Sequence, residues 1–152
     1  MGVRDVEELR AWQHARAFKL EVYRLLAQSR EAQIDQRYRH QLADAASGGE
    51  ANIAEGFRRF LATDFARFVS YAVASIEEAT RRLQDGVDRG YFTAASAHHG
   101  LQLGRTAGRT SMALLKSLRR LRLDRGARRL SPAMEEGPRA SDERRTKDRT
   151  TD

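Results

Sequence analysis

The chain has 152 residues, 28 Lys and Arg against 21 Asp and Glu, a formal charge of +7 and no cysteine. That length fits one domain, and the missing thiols exclude disulfides and thiolate metal sites and agree with a reducing cytoplasm. Hydrophobic residues at 40% with aromatics at 7%, and only two prolines, describe a core of Leu, Ala, Val and Ile on uninterrupted helices, an all-α class.

From Met1 to Trp12 the chain carries Asp5, Glu7 and Glu8 and no apolar run, so neither a signal peptide nor a membrane span is expected. A soluble, cytoplasmic protein without a membrane partner is the expectation. Helix one begins between Val6 and Trp12 and runs to about Ser29, with Leu9, Trp12, Ala15, Phe18, Val22, Leu25 and Leu26 on one face. Trp12 reads as a core anchor near its start. The polar stretch from Arg30 to Asp35 reads as a short loop in which Asp35 caps the next helix.

Helix two spans about Gln36 to Gly56, burying Tyr38, Leu42, Ala45, Ala46, Gly49, Ile53 and Phe57. Gly48 and Gly49 are costly in a helix interior, by about 1 kcal/mol each, so they mark a kink or a close neighbour, with a kink as the preferred reading. Asn52 and Glu55 share a face beside Ile53 and are expected to form a structural polar layer that fixes register or assembly.

After a break from Arg58 to Thr63, Thr63 and Asp64 are expected to start helix three, whose Phe65, Phe68, Val69, Ala72, Val73, Ile76, Ala79, Leu83 and Val87 make the clearest apolar face. It ends at Arg89 and Gly90, where glycine suits a left-handed cap. Helix four starts near Thr93 and continues through Leu121. Gly100, Gly104 and Gly108 form a bare ridge in it, facing a helix of this chain or of another subunit. Residues 1–125 are thus expected to be an antiparallel up-down-up-down four-helix bundle, and the Ser-, Pro-, Arg- and Glu-rich residues 126–152 a disordered tail.

Gln41, Leu42, Ala45, Ala46, Asn52, Ile53, Ala54, Glu55 and Gly56 match a segment by which the chain resembles the small bundle proteins encoded in intervening sequences of bacterial 23S ribosomal RNA genes. Trp12-Gln13, Val22-Tyr23, Phe65-x-Arg67-Phe68, Ser75, Glu78 and Gly90-Tyr91 agree as well. Where that family usually has serine and proline, this chain has Gly48 and Glu50, and Leu61 replaces a common capping serine. The resemblance implies a four-helix bundle, a ring-like homo-oligomer, typically a pentamer, and no enzyme activity. A more distant likeness to accessory variability determinants of diversity-generating retroelements implies an association with nucleic acid.

His98 and His99 point to different faces, and His14 and His40 lack a nearby carboxylate pattern, so no metal site is expected. No phosphate-binding glycine loop or nucleophile turn is present, so neither a catalytic residue nor a cofactor is assigned. Two basic groups remain: Arg58, Arg59 and Arg67 around the second loop, and Lys116, Arg119, Arg120 and Arg122, with Arg125, Arg128 and Arg129 beyond, late in helix four. They are the candidate contacts to RNA or DNA, although Arg-rich surfaces and cations at a helix C-terminus also have purely structural accounts. The expected function is a non-enzymatic homo-oligomer that binds structured RNA or another nucleic acid. The alternative is a scaffold for another protein.

Overall fold

The computed structural model describes residues 2–130, with side chains through 126. A 3-10 turn at Val6–Glu8 leads into five α-helices: α1 Arg10–Gln28, α2 Arg30–Ile34, α3 Gln36–Phe57, α4 Ala62–Asp88 and α5 Ala94–Leu130. The four long ones close on each other, α1 and α4 each packing against both α3 and α5. Neighbours run antiparallel, as successive facing pairs show: Leu83 with Gly100, Thr80 with Gly104 and Ile76 with Gly108 across α4 and α5. Phe18, Val22, Leu42, Ile53, Ile76 and Leu83 are completely buried between them. No helix among the described residues is long and apolar enough to cross a membrane.

The expected simple four-helix bundle is corrected to this five-helix chain. The difference arises at Ser29, whose extended backbone (φ −96°, ψ 110°) ends α1. Its hydroxyl then accepts the Ala32 N–H at 3.1 Å and starts the short α2. Asp35 follows at once, accepting the Tyr38 N–H at 3.0 Å to start α3. Two caps so close together turn a polar stretch into one helical turn, and the buried Ala32 pins it to the core. The ring of identical copies, with its pentameric count, was tied to the four-helix plan and goes beyond what this five-helix chain displays.

Two further expectations change. The glycine pair makes no kink, because α3 is unbroken from Gln36 to Phe57. A Cβ on Gly48 would meet Ser75 Oγ at 2.7 Å, and one on Gly49 would meet Ile76 Cγ1 at 2.6 Å, so both glycines serve the close approach of α4. The position usually held by proline, Glu50, instead reaches across to α1 with its carboxylate, pairing with Arg16 at 3.2 Å and with Lys19. Helix α4 starts at Ala62, one residue before the expected Thr63 cap, with Leu61 in the N-cap position and no side-chain cap.

The other caps fall where the residues indicate. Thr93 Oγ1 accepts the Ser96 N–H at 3.0 Å, and Gly90 takes φ +81° after α4. Gly100 lies against Leu83 and Leu25, and Gly104 against Thr80 and Phe18, so this part of the ridge faces helices of the same chain. Helix α5 continues to Leu130, and the remainder of the tail expected over 126–152 lies outside the described residues.

Candidate nucleic-acid interface

Residues far apart in sequence arrive at one end of the molecule because α4 and α5 run antiparallel. Val69, near the start of α4, is completely buried against Leu115 and Leu118 of α5, with Phe65, Ala66 and Met112 around them. This small second core brings the α3–α4 turn and the late part of α5 to the same end. Arg58, Arg59 and Arg67 on one side and Lys116, Arg119, Arg120 and Arg122 on the other are all exposed there.

The arginines of the turn are partly engaged. Arg59 donates to Glu55 Oε1 at 2.6 Å, and its guanidinium stands 4.9 Å from the centre of the Phe68 ring. Arg67 pairs with Asp64 at 3.5 Å and sits 5.8 Å from the same ring centre. Phe68 in turn meets Tyr71 edge to face, with ring centres 5.9 Å apart. Two guanidinium groups thus stand over the one Phe68 ring, which in turn touches Tyr71. Lys116, Arg119, Arg120 and Arg122 form no ion pair among the described residues.

Asn52 is half-buried and donates to the Gly48 carbonyl of its own helix at 2.8 Å. Glu55 keeps 43% of its side chain exposed and holds Arg59. Both bonds lie along α3, and none recorded for this pair crosses to a neighbouring helix.

A groove of about 790 Å³ runs between α4 and α5. Arg81 of α4 and Arg105, Arg109, Lys116 and Arg120 of α5 line it, opposed by one acid, Glu77. Arg81, Arg105 and Arg109 were absent from the sequence-based selection. The four-residue steps from Arg105 to Arg109 and from Lys116 to Arg120 were the available signal, since they put these cations on one helical edge.

The opposite end is polar in a different way. Asp35 is held below its ordinary carboxylate range by the Tyr38 N–H and the Tyr91 hydroxyl, which donates to it at 2.7 Å. The phenol of Tyr38 is pushed upward by burial and by the nearby Asp85, and donates to the Arg82 carbonyl at 2.6 Å. These groups cap and stitch helices together. Among the described residues no cluster of three or more His, Asp or Glu side chains stands ready to hold a metal.

No curated protein matches the chain. A family match covers residues 7–109, from the 3-10 turn into the first half of α5, and it concerns the rRNA-intervening proteins, with no retroelement accessory protein in it. The family's description names no reaction. On this match the chain belongs to the 23S rRNA-intervening sequence protein family.

Proposed function

We propose that the protein is a non-enzymatic binder of structured RNA or another nucleic acid, using Arg58, Arg59, Arg67, Lys116, Arg119, Arg120 and Arg122 as phosphate contacts. The observation that carries this reading is the packing of Val69 on Leu115 and Leu118, which gathers cations from two distant segments at one end. Guanidinium and ammonium groups arranged in this way hold a polyanion by counterion release rather than by reading bases. Arg59 and Arg67 exchange a carboxylate for a phosphate on binding. Exposed pairs of this kind contribute no more than about 1 kcal/mol, so the exchange is easily driven. Arg81, Arg105 and Arg109 extend the positive surface along the α4–α5 groove.

Association with further copies of the chain would repeat this basic end, and the accessible sides of Asn52 and Glu55 offer part of a contact between copies. A binding isotherm on a labelled RNA hairpin, repeated across salt concentrations, tests the reading. Affinity is expected to fall steeply and linearly on a log–log plot, and absence of binding at low salt would remove the proposal. The alternative of a protein-binding scaffold draws support from Ile76, Met112 and Ala113 in the same groove. It predicts association with a protein that changes little with salt.

A further inference from the structure

Two neighbouring residues at the α3–α4 turn are poor choices for folding. Phe60 has a relative exposure of 103% and Leu61 one of 60%, so neither side chain contributes much to the core. Leu61 also occupies the N-cap of α4, a position where Ser, Thr, Asp or Asn would satisfy a backbone N–H that Leu leaves without a side-chain acceptor. Burial and capping both argue against an apolar pair here. The pair stands beside Arg58 and Arg59, and Arg59 leads over the Phe68 ring to the half-exposed Tyr71.

We propose that this tip is a stacking platform for unpaired nucleotides, with Phe60 receiving one base, Tyr71 available to a second, and Arg58, Arg59 and Arg67 holding the phosphates between them. The proposal rests on the nucleic-acid reading above and narrows it to a substrate class: single strands, or the loops and bulges of a folded strand. An aromatic face accepts any base and is out of reach of bases stacked inside a duplex, so the platform selects for unpaired structure rather than for sequence. The cations gathered here favour this occupant over a lipid surface, since an inserting tip needs a continuous apolar face and here the exposed Arg58 and Arg59 directly precede Phe60, with Arg59 and Arg67 over the Phe68 ring.

Phe60 contributes no packing, so Phe60→Ala leaves the fold intact, and an unchanged melting curve verifies this. Binding of the full chain is measured by anisotropy with a labelled twelve-nucleotide strand, as RNA and as DNA, with the same strand annealed to its complement, and with anionic phosphatidylserine vesicles. The natural protein is expected to favour the unpaired strand by about tenfold over the duplex. Phe60→Ala is expected to lower affinity for the unpaired strand by about tenfold, to leave the duplex unaffected and to keep the salt slope, because no cation is lost. Phe60→Trp restores the preference. Equal binding of both forms, or an unpaired-strand affinity within twofold of the natural protein in Phe60→Ala, overturns the platform and leaves the phosphate-binding reading standing. Failure to bind either form at low salt, or binding to vesicles alone, overturns both.

Discussion

Gly49 of α3 lies so close to Ile76 of α4 that a Cβ added to it would sit 2.6 Å from Ile76 Cγ1. Ile76 is itself buried, and the clashing atom is its Cγ1, next to the branch point rather than at a flexible side-chain end, so it cannot swing aside without moving the helix. Overpacking at such a site costs about 1–3 kcal/mol, which exceeds the gain of about 1 kcal/mol from replacing a helical glycine. Gly49→Ala is therefore expected to lower stability by about 1 kcal/mol. Gly108 provides the opposite case, because a Cβ there meets only Ile76 Cγ2, at an ordinary 3.8 Å. Gly108→Ala is expected to raise stability by up to about 1 kcal/mol. Urea melts of the two variants should move in opposite directions, and movement in the same direction would show that the glycine contacts are misplaced.

The Tyr38 hydroxyl joins α3 to α4 through the Arg82 carbonyl. Tyr38→Phe is expected to cost about 1 kcal/mol, the usual net value of such a bond. Because burial and Asp85 raise the phenol's pKa in the folded protein, the neutral form stabilises the fold fully below the unfolded value of about 10. That stability is lost as pH rises through the folded pKa. Thermal melts between pH 8 and 11 should show the natural protein losing stability faster than Tyr38→Phe, and parallel curves would exclude the assignment.

Asp35 acts in the acid range. Its lowered pKa, caused first by the Tyr38 N–H and then by the Tyr91 hydroxyl, gives stability that is present above the unfolded value of about 4 and is lost as pH falls. Asp35→Asn keeps a capping oxygen and removes the charge. Its melting temperature is expected below that of the natural protein at neutral pH, with the gap closing as pH is lowered through 4 to 3. A gap that stays constant in acid would mean the carboxylate has no such role.

Glu55 holds one of the proposed phosphate contacts in place and adds a negative charge next to it. Glu55→Gln is expected to raise affinity for nucleic acid by up to about fivefold, the most that an exposed pair supplies. By contrast, Arg119→Gln combined with Arg122→Gln is expected to weaken binding and to reduce the salt slope by about 2, roughly 0.9 for each lost phosphate contact. Isotherms at several salt concentrations measure both effects.

Helix positions in this chain were legible because the apolar residues of α1, α3 and α4 repeat at helical spacing, more weakly in α5 with its glycine ridge, and because Asp35, Thr93 and Gly90 use well-understood cap chemistry. What sequence missed follows from packing. A five-residue helix is too short to show a period, and Ser29 looked like the tail of one helix before its bond to Ala32 revealed the head of another. Gly48 and Gly49 carry the same composition signal whether they loosen a helix or admit a neighbour, and only the position of Ser75 and Ile76 decides between them. The basic groups were visible as charge. Their arrival at one end, and the addition of Arg81, Arg105 and Arg109, required the register of α4 against α5.

Ser29 both accepts from Ala32 and donates to the Tyr91 carbonyl at 2.7 Å, so it fastens the α1–α2 junction to the α4–α5 junction. Among the described residues the α3–α4 turn has no such latch, and its helix begins on an uncapped leucine. The protein therefore has a hard pole and a soft pole, and amide protons should exchange with solvent first at the soft one. That pole is also the one bearing the arginines and Phe60, so the surface that meets a ligand is free to adjust its shape while the far pole keeps the helices in register.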